Sequence, residues 1–230
     1  MPDEGSCLNQ KLEKATTATL AYDRLRHDIM HGDLHPGQKL AIDDIAERYG
    51  VGTNPVREAL NRLSSQRLVD RHDQRGFFVP QISIEAWREL VKTRCWLEPM
   101  ALEQSMLNRT VAWEEEIVLA LHRLSRSPWT EEDPDMDKRA QFEGHHRAFH
   151  MALIGNCGSS WMLQFCEVLM DHAQRYIYIS AGAAYPRRQG GAEHREIADA
   201  ALDGDIAEAK KRLIAHYTRT LEYIEREIEN

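Results

Sequence analysis

Asn54-Pro55-Val56-Arg57-Glu58-Ala59-Leu60-Asn61-Arg62-Leu63 is the stretch on which the reading of this chain turns. Asn54 suits a helix N-cap. Pro55 suits the first helical position, where its missing N–H costs nothing. Val56, Ala59, Leu60 and Leu63 then share one apolar face, while Asn54, Arg57 and Asn61, spaced i, i+3, i+7, share a polar one. A helix with a buried stripe and an exposed Asn/Arg stripe needs neighbours to bury the first and a polar partner for the second.

The neighbours lie on both sides. Upstream, Ile42 to Tyr49 reads as a short helix burying Ile42, Ile45, Ala46 and Tyr49, and Gly50 ends it. Before it, a helix starts at Thr17 with Thr16 or Thr17 as cap, carries Leu20, Leu25, Ile29 and Met30, and stops at Gly32 and His35-Pro36-Gly37. Downstream, Leu68-Val69, a polar turn from Asp70 to Gly76, and Phe77-Phe78-Val79 read as a hairpin that Pro80 closes. Two short helices, a tight Gly-containing turn and a small hairpin follow the order of a winged helix-turn-helix. Arg57 and Asn61 suit base edges and phosphates, Asn54 joins them, and Arg71, His72 and Arg75 fall in the wing turn. Taken alone, the same pattern also fits a solvated face on an ordinary helix pair.

From Ile84 the period is helical throughout. It breaks at Ser127-Pro128, Glu132 to Asp135, Gly155 to Ser159, Pro186 to Gly191 and Asp203-Gly204-Asp205. The expectation is mainly α: a tail over 1–15, a winged helix-turn-helix with a two-stranded wing over 16–80, a linker over 81–83, and an all-α bundle of about six helices over 84–230.

Charge is unevenly distributed. Thr17 to Pro80 holds 9 Lys/Arg and 9 Asp/Glu, whereas Gln81 to Asn230 holds 18 and 25, a net of −7. The acidity of the chain therefore does not stop the first part from presenting a basic face to DNA. No run approaches the roughly 20 apolar residues of a membrane span. The polar N-terminus lacks an apolar signal core. Cys7, Cys95, Cys157 and Cys166 form no CxxC pair, which fits reduced thiols in the cytoplasm.

Four of the eleven histidines are placed for chemistry. His146 and His150 are i, i+4 on one helix. His194 lies nine residues before Asp203 and His216 eleven after Asp205. In an antiparallel helical hairpin they stand about 13.5 and 16.5 Å from the turn, nearly level. Four neutral imidazoles suit Zn²⁺ or Ni²⁺, not Mg²⁺ or Ca²⁺. The alternative is histidines that never meet. Arg94 has two readings: it pairs with Glu98 at i+4, or it points into the bundle and forks onto an acid. Tyr176, Tyr178 and Ser180 are further pocket candidates.

Leu34-His35-Pro36-Gly37, Ile45-Ala46, Gly50-Val51, Pro55 to Leu60, Leu68-Val69 and Arg75 to Val79 together resemble the DNA-binding domain of the GntR family of regulators. Arg94 to Ala101, Arg147-Ala148-Phe149-His150, Gly155-Asn156, His194 with Ile197, and Ala209 with His216 resemble the all-helical FCD domain of its FadR subfamily. The resemblance implies a homodimer on double-stranded operator DNA and a small carboxylate effector bound near Arg94 and Glu98. It also implies a divalent metal held by His150, His194 and His216, with His146 where the family places an aspartate. A second departure is Gly52-Thr53-Asn54 where relatives carry Ser-Arg-Thr, and a third is Asp43 where some carry a base. The function implied is a ligand-responsive transcription regulator, a repressor, and not an enzyme. Two rivals use the same histidines. A metal-dependent enzyme would need a general base or nucleophile beside them, and none stands out; a dedicated metal sensor would need no acid.

Overall fold

In the computed structural model the described residues are 16–127, 136–181 and 190–229. The tail over 1–15, Cys7, and the breaks at 128, 132–135 and 186 lie outside them. The chain divides into two compact units at Pro80/Gln81, except that Met30–Asp33 group with the second.

The first unit begins with α1 (Thr17–Met30), whose Thr19 N–H is capped by Thr16 Oγ1 at 3.1 Å. Leu25 and Ile29 are fully buried, but Leu20 is exposed; five residues from Leu25, it points to another side of the helix. α2 (Ile42–Tyr49) ends at Gly50, which takes the left-handed conformation at φ 65. Tyr49 donates to Asp28 Oδ2 at 2.7 Å, Arg48 pairs with the same carboxylate at 2.9 Å, and Arg24 donates to Tyr49 O at 2.9 Å. These bonds pin α2 to α1 around a core of Ile45, Val56, Leu60 and Leu63. Ile42, expected in that core, is only half-buried.

α3 (Thr53–Ser65) starts two residues earlier than the Asn54 cap implies: Gly52 is the N-cap and makes no side-chain cap bond. Pro55 is then the third helical residue. It is still inside the first turn, whose N–H groups lack helical partners, and the first i→i−4 bond is Val56 N–H to Gly52 O. At the other end Arg67 sits at φ 59, with its N–H on Ser64 O and Leu68 N–H on Leu63 O, both Leu buried. This is a Schellman stop with Arg where Gly is usual.

That stop reshapes the wing. Leu68 and Val69 are spent on the helix end and the core, so the strands are β2 (Asp70–His72) and β3 (Gly76–Phe78). The sheet has three strands, not two. β1 (Lys39–Leu40) pairs antiparallel with β3, giving the order β1-β3-β2. Gly37 N–H to Val79 O and Val79 N–H to Gln38 O, both 2.9 Å, extend the pairing. Two residues are too few to show alternation, so β1 left no periodic signal.

The second unit holds, among the described residues, α4 (Ile84–Leu107), α5 (Val111–Ser125), α6 (Met136–Ile154), α7 (Ser160–Ala181), α8 (Gly190–Asp203) and α9 (Ile206–Glu229). The α4–α5 break has no Gly or Pro to announce it; Thr110 makes it by accepting from Trp113 N–H at 3.2 Å. α7 runs antiparallel along α4. Asn108 Nδ2 donates to Asn156 O at 3.1 Å at one end. Further along, Cys166 feels the Glu98 charge, which joins burial in pushing its thiol up to about 12. Trp87, stacked on Tyr176 at 5.2 Å, and Phe149, Ile117 and Leu213 fill the core.

Arg67 pays for an L side chain in left-handed backbone, about 1 kcal/mol. Arg67→Gly is expected to raise the urea midpoint of the first unit's unfolding, followed by circular dichroism, by an amount equivalent to several tenths of a kcal/mol. An unchanged or lower midpoint contradicts that.

Candidate metal centre and nucleic-acid interface

The four singled-out histidines come together. α6 presents His146 and His150 on one face, one turn apart, with ring centroids at 4.6 Å. The hairpin of α8 and α9, closed by Gly204 at φ 81 and by Asp205 N–H on Ala200 O, brings His194 and His216 to 4.7 Å. Across the pairs, His146–His194 is 4.9 Å and His150–His216 5.2 Å. One ring nitrogen from each lies within 4.8 Å of the other three. Two nitrogens on one ion at about 2.1 Å stand about 3.4 Å apart in a tetrahedron and no more than about 4.2 Å. The His146–His150 Nε2 pair is already at 3.2 Å, and no pair is more than 4.8 Å apart.

The surroundings suit imidazole ligands. His150, His194 and His216 are buried and His146 half-buried, with Phe149 edge-on to His150 and His194. Burial holds the His150 pKa well below its ordinary value, and the neighbouring imidazoles lower it further. A ligating ring must be neutral and must aim one nitrogen inward while the other holds a partner. His216 Nδ1 lies 2.8 Å from Glu193 Oε2, leaving Nε2 for an ion, and Arg219 steadies Glu193 from its other oxygen at 3.1 Å. His150 Nδ1 lies 3.3 Å from Tyr217 Oη, and Tyr217 donates to Glu98 Oε2. The donor set and its orientation fit a divalent transition metal.

Arg94 is buried in the bundle, but its fork is taken. Nε donates to Glu98 Oε1 at 2.6 Å and Nη2 to Oε2 at 3.3 Å, and the guanidinium lies 4.1 Å from the centre of the Tyr217 ring. Arg94, Glu98, Tyr217 and His150 thus form one buried chain. Tyr176 is engaged with Trp87, Tyr178 lies under the Arg139 guanidinium at 3.3 Å, and Ser180 is half-buried.

In the first unit, α3 and the wing enclose a concave surface of about 640 Å³. Arg57 and Asn61 line it from α3, Arg71 and Arg75 from the wing, Lys39 from β1 and Asp43 from α2. Asn54 is exposed but lies outside that lining. The wing is stiffened by His72, edge-on to Phe78 at 5.2 Å, and by Arg75 at 5.8 Å from the same ring.

Residues 17–79 match the bacterial regulatory proteins of the gntR family, and residues 89–219 match the FCD domain. The chain belongs to the GntR family. It is 38% identical over 204 residues to the HTH-type transcriptional regulator BphR of Paraburkholderia xenovorans, covering 88% of this chain and 83% of that one. It is 31% identical over 163 residues to the HTH-type transcriptional repressor GlaR of Escherichia coli, covering 71% and 73%. Its fold matches the solved structure of E. coli McbR/YncC at a TM-score of 0.72 and 22% identity, over 93% of this chain and 99% of that one. This GntR-family chain is a helix-turn-helix transcription regulator with an FCD ligand-binding domain, not an enzyme.

Four residues of this regulator escaped the sequence. Tyr217 follows His216 directly, so helical geometry turns it some 100° away and hides its reach to His150. Glu193 precedes His194 but serves His216, a partner 23 residues on. Arg175 is almost wholly buried on α7, where a lone cation between Ala173 and Ile177 was the available sign. Lys39 reaches the concave surface only because of β1.

Acid stability follows from His150. An unfolded histidine binds a proton as pH falls through about 6.5, whereas folded His150 resists until well below. Below about pH 6.5 the unfolded state binds more protons, so stability falls as pH falls. The urea midpoint of metal-stripped protein is expected to drop between pH 7.5 and 5.5, and to drop less in His150→Asn. Equal slopes would remove His150 from the cause.

Proposed function

We propose that this regulator is a metal-containing repressor of the cytoplasm that answers to a small organic acid. In this reading residues 16–80 bind operator DNA, 81–83 link, and 84–230 sense ligand and dimerise. The observation that carries it is the convergence of four imidazoles in the bundle of a GntR-family chain. Zn²⁺ or Ni²⁺ suits an all-nitrogen set with two of the rings oriented by Glu193 and Tyr217. Such an ion, when bound, supplies positive charge and open positions for a carboxylate. The repressor assignment is supported by the similarity to GlaR, a repressor by name. No helix among the described residues is long and apolar enough to cross a membrane.

On the DNA side, a homodimer sets two α3 helices into successive major grooves of a two-fold site. Arg57 and Asn61 face base edges, Arg71 and Arg75 of the wing follow phosphate, and Asn54 touches the backbone near the start of α3. Ligand favours one spacing of the two DNA-binding units over another, with Ile82-Ser83 as the hinge. The metal-sensor reading keeps one specific support: the arginine expected to fork onto an acid is already engaged by Glu98.

Arg57→Ala is expected to cost about 1–3 kcal/mol of operator binding and to relax preference at one base position. Gel-shift titration at fixed salt measures it, and unchanged affinity takes Arg57 out of the interface.

The sensing reading is tested by thermal shift of Zn²⁺-loaded protein against small mono- and dicarboxylates. An acid that binds the folded state raises Tm by mass action, by RT ln(1 + [L]/Kd) in free energy. His150→Ala is expected to lose metal, by elemental analysis, together with that shift. An acid response that persists without metal refutes the joint site. Operator affinity that follows Zn²⁺ alone, with no acid response, establishes the metal-sensor reading instead.

A further inference from the structure

The chain crosses between its two units three times: after Ile29, after Asp33 and after Pro80. Met30–Asp33, the end of α1 and the turn beyond it, are thus a short inset of the second unit. The inset is closely held there. The His31 ring stands edge-on to Tyr178 of α7, with centroids at 4.4 Å, and His31 Nε2 lies 3.8 Å from Glu143 Oε2 of α6. Arg139 donates to the other oxygen of Glu143 at 3.0 Å and lays its guanidinium on the Tyr178 ring. Gly32, at φ 80, runs its backbone against α7: a methyl group there would touch Ile179 Cγ1 at 3.7 Å. The His31 and Glu143 side chains are only 22% and 15% exposed, so solvent screens their contact less than it would a surface pair.

The grip comes from the same stripe of α6 that carries two of the metal candidates. Arg139, Glu143, His146 and His150 are spaced i, i+4, i+7, i+11 along one face of the helix. Phe142, beside Glu143, lies nearly parallel to the His146 ring, at 16° and 6.0 Å. An ion seated on His146 fixes that ring, the ring stacked on it, and the helical turn that holds Glu143. We propose that Met30–Asp33 is a strap through which occupancy of the histidine cluster reaches α1, and so operator affinity, with His31, Glu143, Arg139 and Tyr178 as its positioning residues. The strap rests on the metal reading above. It adds to the hinge at Ile82-Ser83 a second route, one that begins at the helix bearing two of the ligands. The route continues through the backbone and needs no further side-chain contact: His31 follows the last residue of α1, and Leu34 N–H returns to Asp28 O at 3.0 Å, closing the turn onto that helix. Such a strap is an element that both sites bias, and coupling of typical size is about five- to 150-fold.

The test uses the full chain, stripped of metal and then loaded with Zn²⁺. On loading, hydrogen exchange read by mass spectrometry is expected to slow at residues 30–34 by about fivefold or more, and gel-shift titration to show operator affinity changing with it. Glu143→Gln and, separately, His31→Ala are expected to keep the wild-type Zn²⁺ content, far-UV circular dichroism and metal-free operator affinity while losing most of both responses. Glu225→Gln, which breaks the Arg88–Glu225 pair elsewhere in the unit, is expected to keep both responses. Zn²⁺ that binds the wild type without slowing exchange at 30–34, or that slows it without changing operator affinity, overturns the strap and leaves the metal site standing. So do responses that persist in both clasp variants, or clasp variants that lose Zn²⁺ or metal-free operator binding itself. A wild type that binds no Zn²⁺ refutes the metal reading, and the strap with it.

Discussion

Arg94 and Glu98 share a buried ion pair, and its consequences run through the sensing unit. A carboxylate with no exposed surface is tolerable only when its oxygens are satisfied, and Glu98 accepts from Arg94 on one side and from Tyr217 on the other. Removing one member of such a set strands a charge at a cost of about 3–5 kcal/mol. The pair therefore fixes Tyr217, Tyr217 faces Nδ1 of His150, and the inward aim of that imidazole follows. Glu193 does the same for His216 from the other side, with Arg219 behind it. The histidine cluster is thus held from without by carboxylates that never enter it.

This arrangement changes what the acid effector would have to do. An arginine free in the pocket would simply receive a carboxylate. Here an acid, if it is the effector as proposed, would compete with Glu98 for the same guanidinium or bind beside it. Competition would release Tyr217 and, through it, loosen His150, so effector and metal would be coupled through one hydrogen-bond chain. Coupling of that kind is reciprocal: whatever the acid does to metal affinity, the metal does to acid affinity.

The first unit obeys a different constraint. Its helices are short, and their ends rather than their lengths fix the geometry. The left-handed residues Gly50 and Arg67 end α2 and α3, and the Arg67 stop turns the chain into the core at Leu68 before β2 begins. The polar side of α3 and the wing then face one concave surface whose base is closed by β1. Lys39, Arg57, Arg71, Arg75 and Asn61 line that surface with two carboxylates, Asp43 from α2 and Asp73 from the wing turn.

Much of this was legible in the sequence because it is local. The period of Val56, Ala59, Leu60 and Leu63 marks α3, the i, i+4 spacing of His146 and His150 puts both rings on one face, and residue counts about Gly204 make His194 and His216 nearly level. Each follows from 1.5 Å and 100° per helical residue. What the tertiary structure decided is which partners meet from afar. β1 needs β3, 37 residues on, to be a strand at all. Tyr217 reaches Glu98 across 119 residues, and the Arg94 fork is spent on Glu98 rather than left open. Asn54 lies outside the concave surface, whose lining from α3 is the row Thr53, Arg57 and Asn61, spaced i, i+4, i+8. Periodicity fixes the side of an element on which a residue stands. Only packing, by which other elements close over that side, settles what it touches.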